Sequence, residues 1–466
     1  MKDGKDMDEK LTLPRKKRGL STTRIIALGF AAAIFVGAFF LMLPVSSAEG
    51  TWTNPIDALF TATTSICVTG LVTVTTAVHW SLFGQIVILI LAQLGGLGVI
   101  TAAMCIFIAV GRRITLKDRM LIQETYNMDT LSGLVKLVLR IVKGTFLLEG
   151  IGALLYAIVF IPEFGFLPGL WKAIFNAVSA FCNAGMDVLG ETSLRAYVRN
   201  PIVNITTMTL IVLSGLGFMV WWNLIDSWKK RKEKRRGFVT GLSLHTKLVL
   251  IMTAALVLGG ALFFFLFEYR NPGTIGTMGM GDKVMAAFFQ SVTTRTAGFE
   301  TIPQAELTEG STLLTMILML IGGSPAGTAG GIKTTTVGIL LLTILSTVRG
   351  KRETEFMKRR ISADAGRTAL TVVGLALMVV ITASLLLFAT DGLEFKDTVY
   401  EVVSAIGTVG LTRGITSGLS VAGKAIIIVV MYIGRIGPVT LALALAMKRR
   451  GKEQSISLPE ERILIG

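Results

Sequence analysis

The chain has 466 residues, of which 52% are apolar and only 16% charged, with a mean hydropathy of +0.68. A soluble domain carries roughly 25% charged residues, so lipid is the expected main solvent. The net charge of +16 does not indicate nucleic acid, because the basic residues fall in short blocks between apolar runs: Arg15 to Arg18, Arg112-Arg113, Lys229 to Arg236, Lys351 to Arg360 and Lys448 to Arg450. The three cysteines, Cys67, Cys105 and Cys182, lie in apolar surroundings and are odd in number, which points to neither a disulfide framework nor a zinc site.

After a basic tail at 1–23, apolar segments long enough to cross a membrane follow one another. A crossing helix needs about 20 mostly apolar residues. Eight segments meet that length: 24–44, 80–110, 140–161, 201–226, 245–268, 311–348, 367–390 and 420–447. The first is longer than the apolar part of a signal peptide and reads as an uncleaved helix. The basic blocks at 15–18, 112–119, 229–236, 351–360 and 448–452 fall on one side, which the positive-inside rule assigns to the cytoplasm together with both termini. Glu49, Glu163, Asp187, Glu191, Glu300, Glu306, Glu309 and Asp391 fall on the other. Neither a long linker nor a second soluble domain is expected.

Between each odd segment and the next even one lies a shorter, semi-polar stretch: 55–71, 169–186, 282–299 and 396–411. These are too short to cross twice and read as re-entrant. The expected fold is an all-α membrane protein of four helix–re-entrant loop–helix units around one central pore. The units are 24–110, 135–226, 245–348 and 367–447, followed by a tail at 448–466.

Aligned on a glycine, the four stretches share a pattern. They end in Val68-Thr69-Gly70-Leu71, Asn183-Ala184-Gly185-Met186, Thr296-Ala297-Gly298-Phe299 and Thr408-Val409-Gly410-Leu411. An aromatic residue (Phe60, Phe175, Phe288 or Tyr400) stands ten positions before each glycine, where it would wedge the short helix against its neighbours. Backbone carbonyls from several segments can replace the hydration shell of a cation. Aligning consecutive carbonyls needs dihedrals that glycine reaches without a Cβ penalty. A short helix before each glycine would also aim its partly negative C-terminal end at the ion.

On these motifs the chain resembles, over essentially its whole length, the Trk/Ktr/HKT superfamily of potassium transporters, and most closely the KtrB-type membrane subunit of bacteria. Thr408-Val409-Gly410 matches the start of the TVGYG potassium-channel filter, and the other three stretches are degenerate versions of it. In that family a serine in place of the first filter glycine goes with sodium preference; here the residue is Gly70. The resemblance implies K+ held at the filter carbonyls, with Na+ passing or assisting. It also implies a homodimer with one pore per subunit in the bacterial inner membrane, and a cytosolic ring of nucleotide-binding RCK domains as regulator. The basic loops at 229–236 and 351–360 and the C-terminal tail would dock that ring or contact anionic lipid.

The second helix of the third unit contains Gly322-Gly323-Ser324-Pro325, Gly327 and Gly330-Gly331, then Lys333. Five glycines and a proline within 322–336 do not sustain a regular helix. By resemblance this is the family's intramembrane gating loop. It is not a nucleotide P-loop, since Ile332 separates Gly331 from Lys333 and no soluble strand precedes it. No cofactor is therefore expected in this chain. Lys333 is expected at the cytoplasmic end of the loop, either functional or snorkelling to the interface. Arg435 is expected beneath the filter as a barrier or brace, or as a tie to buried carbonyls. Arg295 is expected to brace the filter from behind or to neutralise an acid near the outer mouth, and Glu149, inside the third span, to be paired or near the inner surface. Gly95-Gly96 with Gly98, and Gly215 with Gly217, mark weaker breaks serving as pivots or packing points. Two other functions stay open: a self-sufficient K+/Na+ symporter, and the ion-binding subunit of an ATP-driven potassium pump. His79 and His245 pair with no nucleophile or metal ligand, so no enzyme is expected.

Overall fold

The start of six helices is written in their capping residues. Asn54-Pro55 and Asn200-Pro201 open helices in the same way: proline fixes the first turn, and the asparagine oxygen accepts from Ile56 N at 3.1 Å and from Ile202 N at 3.0 Å. Ser81, Ser243, Thr308 and Ser420 cap four further helices through their hydroxyls. In this computed structural model residues 22–109, 133–234, 238–351 and 353–438 are described, with 115, 120, 123 and 440 singly. The basic blocks at 15–18 and 448–452, most of 112–119, residues 235–236 and the tail 448–466 lie outside the described residues.

The principal helices are α1 (Thr22–Met42), α2 (Pro55–Cys67), α3 (Leu82–Leu97), α4 (Val99–Ala109), α5 (Leu134–Phe164), α6 (Phe166–Cys182), α7 (Pro201–Gly215) and α8 (Phe218–Lys234). They continue with α9 (Leu244–Glu268), α10 (Met280–Thr293), α11 (Glu309–Leu320), α12 (Thr334–Val348), α13 (Ala363–Asp391), α14 (Phe395–Gly407) and α15 (Val421–Ile436). Among the described residues four helices are by themselves long and apolar enough to cross a membrane: Arg24–Met42 within α1, and α5, α9 and α13. The pair α7–α8 makes a fifth if taken as one span, although it bends by 91° at its break. The short helices α2, α6, α10 and α14 occupy the four stretches read as re-entrant, and their buried faces form the centre of the molecule.

The segments 80–110, 201–226 and 311–348, read from sequence as single spans, are each interrupted. The first breaks at Gly98 (φ +84°), the second beside Gly217 (φ +88°) and the third over 321–333. In the fourth unit α15 likewise stops before Gly437 (φ +92°). At all four breaks the backbone enters the left-handed region, in the third at Ala326 (φ +58°) and Gly331 (φ +63°), where glycine carries no Cβ penalty.

The all-α expectation is corrected at one place. Residues 354–361 form an antiparallel hairpin of β1 (Thr354–Phe356) and β2 (Arg359–Ile361), with Glu355 opposite Arg360. The alternation of Thr354, Phe356 and Ile361 with charged residues is a strand pattern that a count of basic residues does not see.

Candidate ion pathway

The four glycine turns meet. A Cβ added to Gly70 would lie 2.8 Å from the Ala184 carbonyl oxygen, and one added to Gly185 would lie 2.6 Å from that of Ala297. A Cβ on Gly298 would collide with the Val409 carbonyl oxygen, and one on Gly410 with that of Thr69. Each glycine thus faces the carbonyl just before the glycine of the next unit, and the cycle closes from fourth to first. The backbone repeats as well. Val68, Asn183, Thr296 and Thr408 have φ of 50°, 58°, 70° and 52°, and the glycines two residues later have φ of 97°, 67°, 83° and 97°. Left-handed φ at a non-glycine residue costs roughly 1–2 kcal/mol. The same departure made four times is a feature of the site.

Hydroxyls hold the turns from behind. Thr64 Oγ1 accepts from Gly70 N at 2.9 Å, and Ser404 Oγ accepts from Gly410 N at 3.0 Å. Ser179 donates to the Met186 carbonyl, and Thr293 donates to that of Phe299 at 2.7 Å. The buried hydroxyls of Thr69, Thr296 and Thr408 have no hydrogen-bond partner. With the ring carbonyls they leave oxygen atoms free for a ligand, and oxygen is the donor an alkali cation takes.

Outside the ring lies a cavity of about 140 Å³ lined by all four glycines and by Asp187, Glu191 and Glu300. Burial pushes the Asp187 and Glu300 carboxyls above the usual carboxylate range, opposed at Glu300 by Arg195, whose Nη2 lies 2.8 Å from Oε1. On the opposite side the ring is covered by the loop 321–333. A Cβ on Gly322 would sit 3.2 Å from Thr296 Cγ2, and one on Gly330 would sit 3.0 Å from Thr408 Cγ2. Asn183 Nδ2 donates to Thr328 Oγ1 at 3.2 Å. The loop therefore touches three of the four residues that open the turns. Its ends are closed by Gly322 N to Ile332 O at 2.8 Å and Thr334 N to Gly323 O at 3.1 Å, and Ser324 N donates to Gly215 O at 2.8 Å. Arg435 donates from Nη1 to the Thr328 carbonyl of the loop and from Nη2 to the Gly95 carbonyl of α3.

Residues 22–455 match the TrkH family, whose members are described as cation transport proteins. The chain belongs to this family. It is 40% identical to the potassium/sodium uptake protein NtpJ of Enterococcus hirae over 97% of this chain and 99% of that protein. It is also 40% identical to the Ktr system potassium uptake protein B of Bacillus subtilis, over 95% of this chain and 96% of that one. The crystal structure of the potassium transporter TrkH from Vibrio parahaemolyticus has the same fold, with a TM-score of 0.72 at 17% identity, covering 93% of this chain and 86% of that one. The chain is thus a membrane-embedded ion transporter of the Trk/Ktr type and not an enzyme.

Several expected residues of this Trk-family chain sit differently from the sequence reading. In the third unit the fully buried ring is Phe289, nine residues before the glycine, while Phe288 is only half-buried. The cause is helix length. Helices α2, α6 and α14 end three residues before their glycines, at Cys67, Cys182 and Gly407, whereas α10 ends at Thr293, five before Gly298. The early stop shifts which residue faces inward. It also leaves Arg295 in the turn, 6% exposed and with no hydrogen-bond partner at Nε. Lys333 does not reach away from the loop: its Nζ donates to the Ala329 carbonyl at 2.6 Å. Glu149 is buried beside Cys182, and its Oε2 has no hydrogen-bond partner. Gly95 and Gly96 are packing points, since a Cβ there would collide with the Ile66 carbonyl and, at 2.6 Å, with Cys182 Sγ.

Sequence reasoning missed a supporting layer. Gln304 Oε1 accepts from Gln290 Nε2 at 2.7 Å and from the Tyr400 hydroxyl at 3.0 Å, joining the third and fourth walls. Arg413 holds Asp397 at 2.6 Å and donates to the carbonyls of Gln304 and Ala305. The half-buried pair Lys424–Asp57, at 2.8 Å, joins the fourth unit to the first. Those that join different units link residues 96 to 367 positions apart, and no local motif announces them.

Proposed function

We propose that this chain is the K+-translocating subunit of a bacterial potassium uptake system, with the ring at Gly70, Gly185, Gly298 and Gly410 as its selectivity filter. The observation that carries this reading is the closed cycle of four glycine-facing carbonyls, with the same left-handed alternation in every wall. A partly dehydrated K+ is held by the ring carbonyls and by the free hydroxyls of Thr69, Thr296 and Thr408. Asp187, Glu191 and Glu300 raise the local cation concentration at the outer cavity. The names of the relatives, potassium and potassium/sodium uptake proteins, support K+ as the main ion, with Na+ accompanying it.

The loop 322–336 acts as the gate and Arg435 as its clamp, supported by the loop's contacts with Asn183, Thr296 and Thr408. In the membrane the chain forms four helix–re-entrant loop–helix units with eight crossings, and the termini and the hairpin face the cytoplasm of the inner membrane. It works as a homodimer with one pore per subunit, under a cytosolic ring of nucleotide-binding RCK domains. An inside-negative potential supplies about 2.3 kcal/mol per charge for each 100 mV. At 1.4 kcal/mol per tenfold that is roughly fifty-fold accumulation, so uptake needs no nucleotide site in this subunit.

The test is growth and rubidium uptake at low external potassium, in cells stripped of their own potassium systems and supplied with an RCK-type regulator. Rescue is expected; a chain that reaches the membrane and carries no ion under any of these conditions contradicts the proposal. A pH dependence follows from the outer carboxyls. Because burial raises their pKa, Asp187 and Glu300 take up protons above the ordinary carboxylate range as external pH falls, and the mouth loses negative charge. The apparent affinity for K+ is therefore expected to weaken between neutral and mildly acid external pH, and Asp187→Asn to flatten that slope. A slope unchanged by the substitution would remove Asp187 from the mouth's electrostatics.

A further inference from the structure

Nine positions before the ring glycines stand Thr61, Asn176, Phe289 and Glu401, each at most 1% exposed. Thr61 Oγ1 and Asn176 Oδ1 have no hydrogen-bond partner, and a phenyl ring offers none. Glu401 differs, because it reaches the chain that leaves the fourth turn. Its Oε2 lies 2.8 Å from Thr412 Oγ1 and its Oε1 meets Thr416 Oγ1, while the two hydroxyls lie 2.9 Å apart. One turn further along α14, Ser404 Oγ accepts from Gly410 N at 3.0 Å. Residues three apart on a helix share a face. This face of α14 therefore holds the fourth wall at Gly410, and again two and six residues later.

Glu401, Thr412 and Thr416 form a closed triangle whose protons can be counted. A hydroxyl has one proton to donate and an ionised carboxylate has none. Three oxygen–oxygen contacts need three protons, and the two threonines supply two. The third comes from the carboxyl, so Glu401 stands in the triangle as a neutral acid that donates to one hydroxyl and accepts from the other. Its surroundings agree. Glu401 forms no ion pair among the described residues, and Arg413, next to Thr412, holds Asp397 at 2.6 Å instead. Gly414 N donates to Thr412 Oγ1 at 3.1 Å, which ties the same corner to the following turn at φ +100°.

We propose that Glu401 is a positioning residue of the fourth wall: through Thr412 and Thr416 it fixes the segment that follows Gly410, and so sets how well the ring tells K+ from Na+. The proposal rests on the reading of the ring as the selectivity filter. Discrimination depends on where the ring carbonyls sit and on how firmly they are held. Gly410 packs against the Thr69 carbonyl and the Val409 carbonyl packs against Gly298, so a shift of this wall is felt by both neighbours. The other three walls lack a second hold at the same position, which leaves the Thr-Val-Gly wall the most firmly fixed of the four.

The experiment measures rubidium and sodium uptake by the full chain, in cells stripped of their own potassium systems and supplied with an RCK-type regulator, and reads the ratio of the two. Glu401→Leu is expected to lower that ratio at least about tenfold, the equivalent of about 1.4 kcal/mol. Glu401→Gln is expected to keep it, because an amide donates to one hydroxyl and accepts from the other, as the neutral acid does. Thr412→Val removes one corner; it is expected to lower the ratio and to add nothing to Glu401→Leu. Should Glu401→Leu fail to reach the membrane, Thr412→Val alone decides. Thr61→Val, at the same position in the first wall, is expected to change nothing. A ratio that survives Glu401→Leu and Thr412→Val overturns this proposal alone. So does a ratio lost in Glu401→Gln, since a charge would then carry the effect, or an equal loss in Thr61→Val. A wild-type chain that takes up rubidium no faster than sodium sinks the filter reading and this proposal together.

Discussion

Gly410→Ser is expected to abolish potassium uptake while leaving the chain in the membrane. The glycine has φ +97°, and a Cβ there would lie 2.8 Å from Gly70 Cα and against the Thr69 carbonyl oxygen. Left-handed strain costs roughly 1–2 kcal/mol, and overpacking of a tight site adds about 1–3 kcal/mol. Together they amount to about 2–5 kcal/mol, equivalent to roughly thirty-fold or more. The cheapest relief is to turn the Thr69 carbonyl out of the ring, which removes an ion ligand of the proposed filter. Rubidium uptake normalised to the amount of chain in the membrane reads the effect, and sodium uptake measured alongside reads any relaxed selectivity. Uptake equal to wild type would remove Gly410 from the pathway.

Arg435→Gln is expected to raise flux in the absence of any regulator and to blunt the response to one. The guanidinium grips the Thr328 carbonyl of the loop and the Gly95 carbonyl of α3 at once. Hydrogen bonds from a charged group contribute about 1.5–3 kcal/mol each, so the loop loses about 1.5–3 kcal/mol of restraint through its one bond at Thr328, and α3 loses a similar tie at Gly95. Removing a positive charge from beneath the ring also lowers the barrier to an entering cation. Arg435→Lys separates the two effects, since lysine keeps the charge and loses the two-pronged grip. Regulator-independent flux in both variants identifies the clamp, and flux raised in glutamine alone identifies the charge barrier. Flux reduced in both would mean that Arg435 holds the fold rather than the gate.

Much of this architecture was legible because it rests on residues with few substitutes. Closely packed glycines in left-handed turns leave a mark that side-chain variation does not erase, so the four turns and the loop at 322–336 could be read directly. Register inside a wall was less legible. Phe288 and Phe289 are adjacent and chemically identical, and only the early stop of α10 at Thr293 decides which one is buried. The 91° bend between α7 and α8 was hidden for a similar reason, because Gly215-Leu216-Gly217 serves equally well as a packing point within a straight helix. The partners of Arg435 come from units more than 100 residues away, and a lone sequence holds no record of such distances. The hairpin was overlooked because its charges spoke louder than its alternation.

The ring closes within one polypeptide, from Gly410 back to Gly70. A channel assembled from four copies of one subunit is poisoned when defective copies mix in, since a single bad wall spoils the whole pore. If the ring is the filter, as proposed, a damaged ring is expected to disable only the chain that carries it. Coexpression of intact and ring-disrupted chains should therefore give conduction proportional to the intact fraction, so a loss-of-filter allele behaves as recessive. The same closure lets each wall diverge without the other three changing in step, and Val-Thr-Gly, Asn-Ala-Gly, Thr-Ala-Gly and Thr-Val-Gly now stand around one axis.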